Sequence, residues 1–103
     1  MVADVFGDMV ECSESQWDGH VVKKHPEMIR RENEVVAAIA NPHSVFDGNV
    51  PDSKAFQGAP IPSGFWTGAT PIAVVRYRRA VGFLVTAYLG SPSPDWRPVW
   101  ARP

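Results

Sequence analysis

The chain has 103 residues, of which 45% are hydrophobic and 20% are charged. This composition is that of one globular domain, and it excludes a disordered chain, a two-domain protein and a membrane protein, since no run approaches the roughly 18 apolar residues of a span. No signal peptide is recognisable, and the single cysteine, Cys12, excludes an internal disulfide.

Charge divides the chain into two halves of opposite sign. Up to Asp52 there are four Lys or Arg residues against ten Asp or Glu, and from Ser53 onward there are six against one. The net charge of −1 is therefore the sum of an acidic half at −6 and a basic half at +5. The basic half predicts a face that binds an anionic partner. The alternative is that these charges only face solvent.

Two helices are predicted in the acidic half. Ser13 or Ser15 caps a first helix that ends at about Lys24. Pro26 suits the first position of a second helix, which runs to about Ala40 and stops at the following Asn-Pro.

The basic half has the composition of strands. Residues 44–68 are predicted to form a long connection with one or two short strands. Residues 71–89 are rich in β-branched and aromatic side chains and predict a hairpin that turns at 78–80. Prolines and two tryptophans make 90–103 an extended tail that cannot be a central strand. The chain is thus predicted to be one α+β domain, with N-terminal helices on one face of an antiparallel sheet.

His25 is the most informative of the three histidines. It lies at the junction of the two predicted helices, where free backbone N–H groups of the second helix attract phosphate oxygens, and Lys23 and Lys24 precede it. A histidine beside cations can transfer protons while the developing phosphate charge is stabilised. The alternative is that His25 only caps the second helix.

A metal site is disfavoured by spacing. His20, His25 and Glu27 could supply ligands, but Pro26 interrupts them and they do not share one helical face. The Walker loop and the GxGxxG, HExxH and GxSxG motifs are absent from the sequence. Cys12 has no local sign of activation. We therefore predict neither a metal nor a cofactor.

Polar side chains alternate along the predicted hairpin. Thr86 and Tyr88 are two residues apart and share one side of a strand, and Arg76 and Arg78 share one side of the other strand. The register decides whether the two arginines lie beside Thr86 and Tyr88 or on the opposite face. An ordinary strand threonine and a half-buried tyrosine are the alternative.

Three of these segments resemble a known family. They are Trp17 to Glu27 (WDGHVVKKHPE), Ala38 to Pro42 (AIANP) and Val85 to Tyr88 (VTAY). Together they are similar to the phage and polymorphic-toxin branch of the barnase/EndoU/colicin/RelE-like (BECR) nuclease superfamily, over about residues 17–89. The resemblance implies N-terminal helices packed on an antiparallel sheet of about four strands. It also implies metal-independent cleavage of RNA, either tRNA or messenger RNA, by toxins or phage effectors.

The resemblance further implies roles for single residues. The HPE histidine of the family falls on His25, its T-x-Y pair on Thr86 and Tyr88, and the basic residue before the histidine, commonly arginine, on Lys24. The residues expected to be catalytic are His25, Thr86, Tyr88 and Lys24. The residues expected to bind substrate are Arg76, Arg78, His20 and Lys23.

The leading hypothesis is a small endoribonuclease in which the 2'-hydroxyl of the substrate attacks the phosphate, so that RNA is cleaved and DNA is spared. RNA is the expected partner, together with a cognate antitoxin or immunity protein, and no membrane partner is expected. The expected site of action is the cytoplasm, with the domain acting alone or delivered within a larger secreted or phage protein. The alternative is a catalytically inactive nuclease-fold module that binds another protein.

Overall fold

The structure is a computed structural model that describes residues 1–48 and 50–103. Its strands are β1 (Val2–Ala3), β2 (Met9–Glu11), β3 (Ser44–Asp47), β4 (Ser53–Gln57), β5 (Thr70–Arg78), β6 (Val81–Gly90) and β7 (Arg97–Ala101). Its helical elements are α1 (Glu14–Gln16), a π-helical stretch (Trp17–Val21), α2 (Val22–Lys24), a 3-10 turn (Pro26–Met28) and α3 (Glu32–Ala40). The α+β class is confirmed.

The sheet differs from the prediction. It has seven strands instead of about four, in the order β1-β2-β6-β5-β4-β3-β7, and β2 runs parallel to β6 while the other neighbours are antiparallel. The strands that the prediction did not include are β1, β2 and β7, which have two, three and five residues and are too short to show a periodicity. Pro98 is tolerated in β7 because this strand lies at the edge of the sheet.

The predicted first helix corresponds to one continuous helical segment over 14–24. Ser13 caps it, since its Oγ accepts a hydrogen bond from the backbone N–H of Gln16 at 3.1 Å. The segment ends at His25, which has left the helical region with φ −131° and ψ 74° because proline follows it.

The predicted second helix is wrong over its first half. Pro26–Met28 is a 3-10 turn, Arg30 has a φ of 63°, and α3 begins only at Glu32. The Arg31 side chain stabilises the break: its Nε donates to the Glu27 carbonyl oxygen at 3.0 Å. Such a contact between a side chain and a backbone carbonyl leaves no trace in the apolar periodicity.

The expected packing of N-terminal helices over one face is not matched either. Two strands precede the helices, the helices are short, and the 14–24 segment lies along the edge of β6, where the Gln16 amide donates to the Val85 carbonyl oxygen. The pairs of β2 with β6 end at Phe83. The helical segment therefore lies beside β6 beyond Phe83, where β2 no longer pairs with it.

One hydrophobic core holds these elements together. Helical residues Val21, Met28 and Val35 pack in it with strand residues such as Phe56 and Val75, and all are at most 2% exposed. Among the described residues no helix is long and apolar enough to cross a membrane.

The predicted hairpin is confirmed as β5 and β6. Its turn residues Arg79 and Ala80 both have positive φ, 52° and 66°, which is the backbone of a type I' turn. The tail crosses β5, β4 and β3 to place β7 beside β3. Trp96 packs on Phe46 during this crossing, with ring centroids 6.3 Å apart.

Candidate functional site

A bulge in β6 determines which side chains the sheet presents on its outer face. Val74 pairs with Thr86, but Val75 pairs with Leu84, so Val85 is an extra residue. Leu84 packs in the core, and after the bulge Ala87 does so too. Thr86, and Tyr88 two residues later, therefore lie on the side away from the core, which we call the outer face.

The register also answers the question that the sequence left open. Directly paired residues share a face, and Arg76 pairs with Phe83 while Val74 pairs with Thr86. Arg76 is therefore on the outer face, one same-face step of about 7 Å along β5 from the partner of Thr86. Arg78 is one step further, opposite Val81 at the turn. Both arginines are exposed.

His25 and Tyr88 meet at the edge of the sheet. Their ring centroids are 5.5 Å apart with an interplanar angle of 38°. His25 is held at the end of the helical segment, where its backbone N–H donates to the Val21 carbonyl oxygen at 2.8 Å. A third of the His25 side chain is exposed (33%). Two residues far apart in the sequence thus form an aromatic pair that solvent and ligands can reach.

Glu27 is a site residue that the prediction did not include. Its Oε2 lies 3.6 Å from His25 Nδ1, too far for a hydrogen bond but near enough for an ion pair with a protonated ring. The carboxylate faces Nδ1 and so leaves Nε2 as the nitrogen for a ligand. The sequence contained a signal for this contact, because Pro26 turns the chain sharply between His25 and Glu27.

His25 does not cap a helix, and this removes one alternative. The element that follows it is a three-residue 3-10 turn, and the His25 side chain makes no capping hydrogen bond. The expectation that N–H groups of a long second helix bind phosphate at this point is wrong for the same reason: that helix starts only at Glu32.

The Thr86 hydroxyl is the buried polar side-chain atom without a hydrogen-bond partner among the described residues. An unpaired buried hydroxyl is costly, and such groups call for an explanation in a folded protein. Thr86 lies one same-face step from Tyr88 on β6. Because the atom has less than 1 Å² of exposed surface, a ligand oxygen near Tyr88 can pair with this hydroxyl only after the side chain turns outward.

Tyr88 is neutral under ordinary conditions. Burial raises the pKa of its phenol above the usual value of 10. The hydroxyl is therefore a hydrogen-bond donor at neutral pH, suited to a phosphate oxygen.

Among the residues that the structure describes, no side-chain hydrogen bond, ion pair or ring pair joins Lys23, Lys24 or His20 to His25 or Tyr88. Lys23 and Lys24 are exposed at the end of α2, and His20 is half-buried in the π-helical stretch. Lys24 is close to the site only because it directly precedes His25 in the sequence.

Metal ligands do not gather in the part of the chain that the structure describes. No group of three His, Cys, Asp or Glu side chains is placed to hold an ion, so His20, His25 and Glu27 do not form one. Cys12 is half-buried and outside the site, and burial raises the pKa of its thiol. A raised thiol pKa is the opposite of what a nucleophilic cysteine needs.

Comparison with known proteins returned no significant match to a family model, to a curated protein or to a solved structure. The resemblance to the BECR nucleases accordingly stays a prediction from the three sequence segments.

Proposed function

We propose that this chain is a small metal-independent endoribonuclease that cleaves RNA by attack of the substrate's own 2'-hydroxyl on the adjacent phosphate. The observation that carries the proposal is the ring pair of His25 and Tyr88 at 5.5 Å. It joins two of the three segments on which the nuclease resemblance rests, with Thr86 and Arg76 on the same outer face. Intramolecular attack needs a proton acceptor, a proton donor and charge stabilisation, and this set of side chains supplies all three.

The roles follow from the chemistry of each group. His25 Nε2 accepts the proton of the 2'-hydroxyl as the bond from the 2'-oxygen to phosphorus forms. Tyr88, kept protonated by burial, donates its proton toward the 5'-oxygen as the bond from phosphorus to that oxygen breaks. The products are a 2',3'-cyclic phosphate and a 5'-hydroxyl. Thr86, whose hydroxyl is buried in the free chain, turns outward when substrate binds and donates to a non-bridging phosphate oxygen.

Cationic side chains surround this reaction centre on two sides. Lys24 precedes His25, and Arg76 lies on the outer face near Thr86; these two stabilise the negative charge of the phosphorane. Arg78, Lys23 and His20 are proposed to contact more distant parts of the substrate. All of them attract RNA in a salt-dependent way.

The test is cleavage of total RNA in the presence of EDTA. We expect His25→Ala to lower the rate at least 100-fold, because general acid–base groups contribute about 10² to 10⁴. His43→Ala is the matched control, since His43 is exposed beside β3, and it should keep full activity. Equal rates for the unchanged chain and His25→Ala, or no cleavage of any RNA, would contradict the proposal. Capture of a protein partner without salt-dependent RNA binding would favour the inactive binding module instead.

As a biological role we propose a toxin or phage-type effector that acts in the cytoplasm. This role implies a cognate inhibitor in the cell that makes the protein. Expression of the unchanged chain should arrest growth, whereas expression of His25→Ala should not. A cognate inhibitor should cover the basic face of β5 and β6.

A further inference from the structure

The turn end of the hairpin carries a groove that extends beyond the reaction centre and includes Arg76 and Arg78 among its walls. It has a volume of about 770 Å³, and its walls include Arg76, Arg78, Arg79, Phe83 and Val85. Phe83 is 44% exposed and Val85 is 37% exposed. Three guanidinium groups and two bare apolar side chains thus share one concave surface.

The arginines of this groove are available for a ligand. The ion pairs in residues 1–48 and 50–103 join His25 to Glu27, Arg31 to Glu34 and Arg97 to Asp47, so none of the three groove arginines is neutralised by the protein. Exposed arginines interleaved with an exposed aromatic ring are typical of surfaces that hold single-stranded nucleic acid.

Acidic side chains limit the groove on its other sides. Asp52 lines it beside the turn, and Glu11 of β2 pairs with Phe83 from the strand on the far side of β6. Phosphates are repelled from both carboxylates. A polyanion in the groove is therefore confined to the row of arginines on β5 and its turn, with Phe83 next to that row.

The groove and the reaction centre lie on the same outer face of the sheet. Phe83 pairs with Arg76, and the next outward pair, beyond the bulge, is Thr86 with Val74. Val85 occupies the bulge between them and is partly exposed. A chain that lies along β6 from Phe83 reaches Tyr88 in two further same-face steps.

We propose that this groove binds the unpaired nucleotides next to the cleaved phosphate, with one base stacked on Phe83 and the phosphates at Arg76, Arg78 and Arg79. The substrate class is then single-stranded RNA, because the faces of a duplex base are covered by its neighbours and cannot stack on a side chain. This inference rests on the proposed function for the position of the cleaved phosphate, but its binding test does not require cleavage.

The test measures binding of a labelled single-stranded RNA of mixed sequence, and of the same strand annealed to its complement, by fluorescence anisotropy. His25→Ala is the background for all variants, so that the probe stays intact. Phe83→Ala should weaken single-strand binding roughly 10-fold, as expected for loss of one stacked base. Phe83→Leu should be as weak as Phe83→Ala, and Phe83→Trp should restore the affinity. The duplex should bind more weakly and should not respond to any change at Phe83.

Two controls separate stacking from general effects. Phe65 is 92% exposed in the connection between β4 and β5, and Phe65→Ala should leave the affinity unchanged. Arg79→Ala should lower the slope of log affinity against log salt by about 0.7, the value for one phosphate contact on a single strand. Thermal melting of each variant shows whether it has folded.

The outcomes distinguish this inference from the proposed function. If the unchanged chain cleaves RNA but Phe83→Ala binds single strands as tightly as before, the groove assignment is wrong and the ribonuclease proposal stands. If Phe83→Ala weakens binding and no RNA is cleaved, the groove assignment stands and the ribonuclease proposal fails. Equal affinity for duplex and single strand would also overturn the groove assignment. The same holds if the chain binds a protein through Phe83 and does not bind single-stranded RNA.

Discussion

Replacement of Thr86 by valine should make the protein more stable and less active. The Thr86 Oγ1 atom has less than 1 Å² of exposed surface and no hydrogen-bond partner. Burial of an unpaired hydroxyl costs about 1–3 kcal/mol. Valine has nearly the same shape and places a methyl group where the hydroxyl lies, so the substitution opens no cavity. We expect the free energy of unfolding to rise by about 1–2 kcal/mol, which raises Tm by at least about 4 °C for a domain of this size.

Urea unfolding of Thr86→Val, with Thr67→Val as the matched control, measures this difference. The Thr67 hydroxyl is exposed and donates to the Gly64 carbonyl oxygen at 2.6 Å, so its loss should cost about 0.5–1 kcal/mol. The m-value should be the same for both variants and the unchanged chain. The opposite signs of the two changes are the signature of an unpaired hydroxyl at Thr86.

The RNA cleavage rate of the same Thr86→Val variant tests why the hydroxyl is retained. When a group lowers the stability of the folded chain but contacts the substrate, its removal gives a variant that is more stable and cleaves more slowly. A variant no more stable than the unchanged chain would refute the reasoning, because the hydroxyl would then be satisfied in solution. A more stable variant with an unchanged rate would remove Thr86 from the site.

Three further predictions concern the hairpin and its surroundings. Ala80→Gly should raise the free energy of unfolding by about 1 kcal/mol, because residue 80 has a φ of 66°; an unchanged urea midpoint would contradict the strain. Gly82→Ala should cost about 1–3 kcal/mol, since a Cβ there would lie 2.7 Å from Val75 Cγ1, whereas Gly19→Ala, in open space within a helix, should gain up to about 1 kcal/mol. Burial, followed by the hydrogen bond and charge of a neighbouring aspartate, raises the pKa of Tyr77. The folded chain therefore keeps a proton that the unfolded chain loses above about pH 10, and stability should fall as pH rises beyond that point, less steeply in Tyr77→Phe.

The hairpin could be predicted because its sequence is locally consistent. β-branched and aromatic residues fill both strands, and the turn falls at residues 78–80 as expected. The first helical segment could be predicted for a similar reason: Ser13 caps it and Pro26 ends it. In each case the signals for start, interior and stop lie within a few residues of one another.

The missed elements depend on partners outside the element itself. Strands β1 and β2 have two and three residues, and they are strands only because the sheet supplies a partner such as β6. The break before α3 depends on the Arg31 side chain bonding back to the Glu27 carbonyl oxygen. Neither propensity nor periodicity registers such partners.

The sequence indicated candidate site residues, but it could not give the geometry between them. Motif order indicated His25, Thr86 and Tyr88, and the fold brings His25 and Tyr88 into contact. Glu27 was missed because its importance comes from the turn at Pro26, which returns its carboxylate to His25 Nδ1.

The bulge at Val85 is the feature on which the site and the core both depend. With strict alternation from the buried Leu84, Thr86 would face the core and Ala87 would face outward. The core is instead completed by Ala87, which is fully buried, and the extra residue makes this possible. The same shift in phase turns Thr86 and Tyr88 onto the face of Arg76. Apolar packing on the core side of β6 therefore stabilises the bulge, and the bulge places the polar side chains on the outer side. A sequence pattern with a single period cannot describe the residues before and after the bulge together.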